Sequence, residues 1–291
     1  MDKGIQAHLQ GQVPLGGMGS SIEVVHPDVP RGAFRSVLFD FDGTLSLIRE
    51  GWQGVMIPYF VEELLKTPHH ESKYQVEAAV REFVERLTGK QTIYQCIQLA
   101  EEVAKRGGAP KEPLEYKHEY LRRLWERIAH RVEGLKSGRI PPDTLLLRGS
   151  RPFLTELKKR GLTLYLASGT DLCFVQDEAA ALQIDAFFHP HIYGALDRYH
   201  EFSKQMVIER ILKENGLSGP ELLVVGDGYV EIENGKAAGG FALGVASDEA
   251  HPGGLDEWKR RRLIGAGADA IIRDYSDLPA LMEYLFPPRD E

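Results

Sequence analysis

The stretch VLFDFDGTL, residues 37–45, decides how the rest of this chain is interpreted. It begins with three apolar residues, a pattern that predicts a strand buried on both faces, as in the centre of a parallel sheet. Gly43 and Thr44 close the stretch, so the chain is expected to turn as it leaves the strand. The stretch therefore predicts the junction between a central strand and a loop.

Two carboxylates, Asp40 and Asp42, lie at this junction. Side chains in a strand repeat every second residue, so both carboxylates are expected to face the same side. Unpaired carboxylates are costly to bury, and open α/β sheets bind their ligands at this end of their strands. We therefore expect a Mg²⁺ site, with one carboxylate free for nucleophilic or acid–base chemistry. The alternative is an Asp-rich junction without a chemical role.

Composition limits the class of protein. The chain has 291 residues, of which 43% are hydrophobic, enough for one large domain or two ordinary ones with packed cores. A net charge of −8 makes nucleic acids and anionic membranes poor partners. Both cysteines, Cys96 and Cys173, are expected to be buried as small hydrophobic residues rather than paired. The sequence lacks a signal-peptide pattern and a membrane-spanning apolar run, so a cytoplasmic location is expected.

Periodicity divides the chain into three parts. Residues 1–32 are rich in Gly, Pro and Gln and predict an N-terminal arm without chemistry, with at most a short edge strand at residues 22–25. Residues 33–47 and 146–291 alternate strand and helix patterns, which predicts an α/β core: a Rossmann-like parallel sheet with helices on both faces. Residues 48–145 show helical apolar stripes only, which predicts an inserted all-α domain, here called the helical insert.

Three strands of the predicted core end in polar residues. The first ends in the paired carboxylates, the second in Ser168 and the third in Asp227. Because the carboxyl ends of parallel strands meet at one edge of a sheet, these side chains are expected to meet there. Between them, residues 168–171 are expected to form a turn that caps the next helix, and residues 187–192 to include a short strand.

Glu231 lies four residues after Asp227, so a helix that starts between them would turn both carboxylates the same way. Together with Asp40 they could hold a hard cation. The alternative is an acidic helix N-terminus that the helix dipole stabilises.

In this order the residues resemble the four motifs of the haloacid dehalogenase-like superfamily. Asp40 and Asp42, within Asp-x-Asp-Gly-Thr, are similar to the first motif, and Ser168 to the second. Lys204, which opens a helical pattern, is similar to the third motif. The stretch 226–231 resembles the fourth, with Glu at its end where Asp is frequent. The position of the helical insert resembles the cap of phosphoglycolate phosphatase-like and β-phosphoglucomutase-like members.

The resemblance implies a chemical role for each matched side chain. Asp40 would attack phosphorus and form an aspartyl-phosphate. Asp42 would protonate the leaving oxygen and then activate water. Ser168 and Lys204 would bind the phosphoryl oxygens during the reaction.

The resemblance also implies a metal and a phosphate-binding loop. Mg²⁺ would be held by Asp40, Asp227 and the backbone carbonyl of Asp42, with Glu231 in contact directly or through water. Substrate-binding groups are expected in the two loops that follow the first two strands and in the helical insert. The candidates are Gly43, Thr44, Gly169, Arg49 and Lys90. For Arg49 and Lys90 the alternative is an exposed charge without a partner in the site.

These residues favour a Mg²⁺-dependent phosphatase that acts on a small phosphorylated metabolite, with a sugar phosphate as one candidate. A phosphomutase that uses the same aspartyl-phosphate is an alternative, and a catalytically inactive phosphate-binding regulator is another. The complete set of motif residues argues against the regulator. The sequence specifies neither the substrate nor the oligomeric state.

Overall fold

The computed structural model describes residues 21–288, and seven strands in this range form one sheet. They are β1 Ile22–Val24, β2 Ser36–Phe39, β3 Thr163–Asp171, β4 Ile192–Ala195, β5 Leu222–Gly226, β6 Phe241–Val245 and β7 Ala270–Ile272. The order is β1-β7-β6-β5-β2-β3-β4. Each neighbouring pair is parallel except β1 with β7, so the edge strand expected near residue 22 makes the sheet mixed. Residues 1–20 of the predicted N-terminal arm lie outside the described residues.

Helices cover both faces of this sheet, as predicted. The helical insert contains α1 Gln53–Leu65, α2 Lys73–Leu87, α3 Thr92–Lys105 and α4 Pro113–Lys136. The core adds α5 Ser150–Lys159, α6 Leu172–Ala181, α7 Asp185–Phe188, α8 Lys204–Asn215, α9 Tyr229–Ala237, α10 Glu257–Gly265 and α11 Leu278–Leu285. Along β2, Val37 and Phe39 join one buried cluster and Leu38 joins another, because successive side chains point to opposite faces.

The apolar stripes of the helical insert are buried, as their spacing predicts. In α2 the stripe consists of Val76, Val80, Phe83, Val84 and Leu87. This helix begins at a capping box in which Ser72 and Gln75 each bond the backbone of the other. Pro58 lies inside α1. Even α4, with 24 residues, is amphipathic, and within residues 21–288 no helix is long and apolar enough to cross a membrane.

The chain enters and leaves the helical insert through two adjacent segments. Leu47 N donates to Leu145 O and Leu147 N donates to Leu45 O, both at 2.9 Å. An antiparallel bridge between Ser46 and the residue after Leu145 lies between these bonds. The paired segments therefore join the insert to the core close to the predicted boundaries, while the division into separate domains stays a prediction.

Two local predictions in the core are wrong. Residues 168–171 continue strand β3, and Asp171 makes no capping hydrogen bond to α6 because its carboxylate lies 2.6 Å from Lys117 Nζ of α4. Residues 185–188 form helix α7, not the start of a strand. Phe188 packs with its ring 6.0 Å from that of Phe39, so burial in the core overrides its strand preference.

The cysteines differ from each other. Both are free thiols, but only Cys96 is buried, and burial raises the pKa of its thiol to about 12. Cys173 is exposed, which contradicts the prediction. It lies two residues before buried Val175 in α6, about 200° around the helix and therefore on its solvent side.

Candidate active site

A cavity of about 110 Å³ lies at the carboxyl ends of β2, β3 and β5, between the sheet and the helical insert. Nine of the eleven predicted site residues, all of which are described, line it: Asp40, Asp42, Gly43, Arg49, Lys90, Ser168, Gly169, Lys204 and Asp227. The other two, Thr44 and Glu231, lie behind this lining and contact residues that belong to it. The structure therefore gathers the predicted residues around one site.

Lys204 forms ion pairs with one residue of the first predicted motif and one of the fourth. Ser203 caps α8 by accepting a hydrogen bond from Met206 N, which places Lys204 at the start of the helix. Its Nζ lies 2.9 Å from both Asp40 Oδ1 and Glu231 Oε2. Burial alone would lower the pKa of Lys204, but Asp40 and Glu231 raise it above its ordinary value. The ammonium therefore stays charged between two carboxylates.

Asp40 lies just past the end of β2 and is buried. Burial raises the pKa of Asp40 well above its ordinary value, against the opposing effect of Lys204. Glu231 and Asp227 add to the increase because they are like charges. Without a further cation, this carboxylate is therefore under-compensated.

Asp42 lies opposite the end of β3. Its Oδ2 accepts hydrogen bonds from Ser168 Oγ at 3.2 Å and from Thr170 Oγ1 at 2.8 Å. Its Oδ1 is buried and has no hydrogen-bond partner among the described residues. Because β2 ends at Phe39, alternation along a strand does not align Asp40 with Asp42, yet the turn brings both to the cavity. One carboxylate oxygen of Asp42 is therefore not engaged by the hydrogen bonds that fix the other.

Thr44 positions Asp227 instead of lining the cavity. Its Oγ1 accepts a hydrogen bond from Asp227 N at 3.0 Å and lies 3.5 Å from Asp227 Oδ1. Gly43 has a φ of +74°, and a Cβ there would collide with the Asp227 carboxylate, so the turn requires glycine. The Gly43 N–H donates to Ser46 O, so a backbone donor to a phosphate must come from a neighbouring residue.

Glu231 has a partner for each carboxylate oxygen. Gly228 N donates to Oε1 at 2.6 Å, and Lys204 Nζ donates to Oε2 at 2.9 Å. The first bond fixes Glu231 at the start of α9, as in a capping box. Both partners compete with a metal for this carboxylate.

Arg49 is buried, so the alternative of an exposed charge is wrong for this residue. Its Nε and Nη2 donate to the carboxylate of Glu178 on α6, at 3.1 and 2.6 Å. Arg49 Nε also lies 3.9 Å from Asp42 Oδ1, and the guanidinium stacks on Phe174. The arginine therefore holds the entrance of the helical insert against the core beside Asp42.

The turn between α2 and α3, residues 88–91, lies directly on the core. A Cβ added to Gly169 would lie 2.8 Å from Lys90 O, so only glycine permits this approach. Gln91 Nε2 donates to Phe202 O at 2.7 Å and to Tyr199 O at 3.1 Å. Lys90 itself is exposed at the edge of the cavity.

A family model for haloacid dehalogenase-like hydrolases matches residues 34–239, more than half of the chain. The chain belongs to the haloacid dehalogenase-like hydrolases. The match includes all four predicted motifs and the whole helical insert. No curated protein matches the sequence.

Three solved structures of other proteins are similar to this chain in fold. A predicted phosphoglycolate phosphatase from Haemophilus somnus 129PT is 17% identical, with a TM-score of 0.56 over 86% of this chain and 98% of that one. A β-phosphoglucomutase from Clostridium difficile is 15% identical, with a TM-score of 0.57 over 87% and 97%. A predicted phosphatase from Clostridium acetobutylicum is 15% identical, with a TM-score of 0.54 over 86% and 99%. At these identities the similarity establishes the fold alone.

The acidic groups of this haloacid dehalogenase-like hydrolase fit a hard divalent cation. One carboxylate oxygen from each of Asp40, Asp227 and Glu231 lies within 4.8 Å of the other two. Oxygen ligands are those that Mg²⁺ binds, usually together with several waters. Burial, and to a smaller extent the like charges of Glu231 and Asp227, raise the pKa of Asp40, and a bound cation would offset both effects.

Four polar residues at the site of this hydrolase were not predicted from the sequence: Thr170, Glu178, Glu249 and Lys259. Thr170 lies two residues after Ser168, so the predicted turn could have included it. Lys259 Nζ lies 2.8 Å from Asp227 Oδ2 and 2.7 Å from Glu249 Oε1. Burial alone would lower the pKa of Lys259, but Asp227 and Glu249 raise it. Glu249 could have been predicted, because it follows the parallel strand β6, whose carboxyl end lies at the same edge of the sheet as those of β2, β3 and β5.

Proposed function

We propose that this chain is a Mg²⁺-dependent phosphatase that hydrolyses a small phosphorylated metabolite through an aspartyl-phosphate. The observation that carries the proposal is the 2.9 Å pairing of Asp40 with Lys204 in a cavity that Asp42 and Asp227 also line. A nucleophilic carboxylate, a fixed cation for the phosphoryl oxygens and a second acid are the groups that this reaction needs. A cavity of about 110 Å³ favours a small substrate, with a sugar phosphate as one candidate.

In the first step, a carboxylate oxygen of Asp40 forms a bond to phosphorus while the bond from phosphorus to the leaving oxygen breaks. Asp42 gives its proton to that oxygen. In the second step, water attacks phosphorus, Asp42 takes its proton, and phosphate leaves as Asp40 is regenerated. Lys204 and Ser168 bind the phosphoryl oxygens in both steps. Mg²⁺, when bound by Asp40 and Asp227, supplies positive charge that offsets the negative charge of the phosphoryl group.

We also propose that residues 48–145 act as a cap domain over a core of residues 33–47 and 146–291. Trp52, Met56 and Tyr120 of the helical insert line the cavity together with the catalytic carboxylates. A cap that closes over the site excludes water other than the one that reacts. The cap could open and close about the paired segments at Leu47 and Leu145, because the chain passes between core and insert through these two short segments.

A phosphomutase would use the same first step but return the phosphoryl group to a sugar. Measurement of free phosphate and of isomerised sugar phosphate, across a panel of phosphorylated metabolites, therefore separates the two functions. The assay is repeated with the divalent metal removed by a chelator, where we expect phosphate release to stop. The cytoplasmic location stays a prediction.

Replacement of Asp40 tests the proposal most directly. Asp40→Asn removes the nucleophile and one metal ligand, so phosphate release is expected to fall to background. Asp28→Asn, at an exposed position, is the matched control and should keep wild-type turnover. Near-wild-type phosphate release by Asp40→Asn would exclude the aspartyl-phosphate mechanism.

A further inference from the structure

The proposed reaction gives no role to the ion pairs on the far side of Asp227. Lys259, in the first turn of α10, lies with Nζ 2.8 Å from Asp227 Oδ2. Its side chain is largely buried, with 12% of its surface exposed, and it is not part of the cavity lining. Its charge therefore acts on Asp227 and not on a substrate in the cavity.

Glu249 forms a second ion pair with Lys259. Its Oε1 lies 2.7 Å from Lys259 Nζ, and its side chain lines the cavity beside Gly43. The lysine is therefore shared between two acids, only one of which belongs to the proposed metal site. Across Asp227, Thr44 Oγ1 lies near Oδ1 at 3.5 Å, so the two oxygens of this carboxylate have different surroundings.

We propose that Lys259 and Glu249 set the metal affinity of Asp227 in opposite directions. The positive charge of Lys259 lies beside Asp227 Oδ2. It repels a divalent cation there and leaves Asp227 Oδ1 as the metal-binding oxygen. Glu249 offsets that charge by binding the same ammonium group. Unit charges within a few ångströms of a partly buried site interact strongly, because water screens them poorly. The inference rests on the proposed metal site and assigns both residues as positioning residues.

A purely structural ion pair predicts a different result. If Lys259 only held Asp227 in place, its loss would let the carboxylate move and would weaken metal binding. Loss of Glu249 would then loosen Lys259 and weaken metal binding as well. If the two residues act through charge, their replacements have opposite effects. The sign of the change therefore separates the two explanations.

The experiment measures Mn²⁺ binding to the full chain by isothermal titration calorimetry, after removal of bound metal with a chelator. Lys259→Met is expected to tighten binding about tenfold, and Glu249→Gln to weaken it about tenfold. The double variant K259M/E249Q keeps the charge sum of the wild type and should bind Mn²⁺ within about threefold of it. Lys213→Met, which removes an exposed lysine on α8, is the matched control and should leave affinity unchanged.

The direction in which each variant changes Mn²⁺ binding decides between the two explanations. Weaker binding in Lys259→Met, while the wild type binds Mn²⁺ and Asp227→Asn does not, would overturn this inference and leave the proposed function intact. A wild type that binds no Mn²⁺ would overturn the proposed metal site and this inference with it. Lys259→Met leaves two buried carboxylates without their cation, so it can fail to fold. In that case tighter binding by the double variant than by Glu249→Gln supports the inference, and equal binding refutes it.

Discussion

At the scale of single residues, Arg49 lies between two carboxylates, that of Glu178 on α6 and that of Asp42 at the cavity. Its side chain is 9% exposed and that of Glu178 3%, so the pair is screened little by water. Burial raises the pKa of Glu178 even though Arg49 opposes the change. The same guanidinium lies 3.9 Å from Asp42 Oδ1, the oxygen without a hydrogen-bond partner. Nε and Nη2 of Arg49 are therefore bonded to Glu178, while the side chain also lines the cavity. Contact between Arg49 and a substrate stays a prediction.

This arrangement predicts a large loss of stability when Arg49 is removed. Arg49→Met leaves Glu178 buried without its partner, which typically costs about 3–5 kcal/mol in the free energy of unfolding. The double variant R49M/E178Q removes both charges and should recover part of that loss. Urea denaturation measures all variants, with Arg81→Met as control because the exposed Arg81–Glu77 pair is worth less than about 1 kcal/mol. A loss as small as that of the control would contradict the structural role of Arg49.

At the scale of elements, the sequence predicted what depends on local periodicity. Apolar runs located β2 and β5, and the 3.6-residue period located the buried stripes of the helical insert. Prediction from the sequence failed where a residue far away in the chain determines the local structure. Lys117 forms an ion pair with Asp171, and strand β3 continues through the predicted turn. Lys259 was missed for a similar reason, since it lies 32 positions after Asp227 and only the fold brings them together.

The contact of the α2–α3 turn with β3 predicts the effect of Gly169→Ala. The new Cβ would lie 2.8 Å from Lys90 O, so the turn must move away from the cavity. Displacement of about 1 Å near reacting groups can cost up to about 100-fold, so we expect kcat/KM to fall between about tenfold and 100-fold. Hydrogen–deuterium exchange in residues 88–91 should rise. The φ of Gly169 is not left-handed, so a fall in melting temperature would report the lost contact with the turn and not backbone strain.

Gly265→Ala is the control for that substitution. Gly265 ends α10, has no atom within 4 Å of an added Cβ and is not left-handed. It should therefore alter neither kcat/KM nor exchange in the turn. Unchanged exchange and activity in Gly169→Ala would show that the turn does not need this close approach for catalysis.

At the scale of the whole molecule, helix α10 of the core contacts the end of helix α2 in the insert. Arg262 of α10 donates to the carbonyls of Glu85, Arg86 and Thr88 at the end of α2. Carbonyls in the last turn of a helix lack an amide partner four residues further on, and Glu85 O also accepts a 3.3 Å hydrogen bond from Thr88 N, so Arg262 adds donors from the core to this helix end. Together with the Gln91 bonds, this contact holds the insert over the cavity. In the proposed cap, this arrangement would correspond to closure over the cavity.

A closed cap predicts that Lys90 selects the substrate. Its side chain extends from the α2–α3 turn at the edge of the cavity, 5.9 Å from the Tyr94 ring, and is exposed. It can therefore contact a part of the substrate that extends beyond the phosphoryl group. Lys90→Ala should lower kcat/KM for the physiological substrate about tenfold, equivalent to about 1.4 kcal/mol of transition-state binding. Hydrolysis of a small generic ester such as nitrophenyl phosphate should remain unchanged, and Lys105→Ala, which removes an exposed lysine from α3, should affect neither substrate. Equal losses on both substrates would place Lys90 at the phosphoryl group, and no loss on either would return it to an exposed charge.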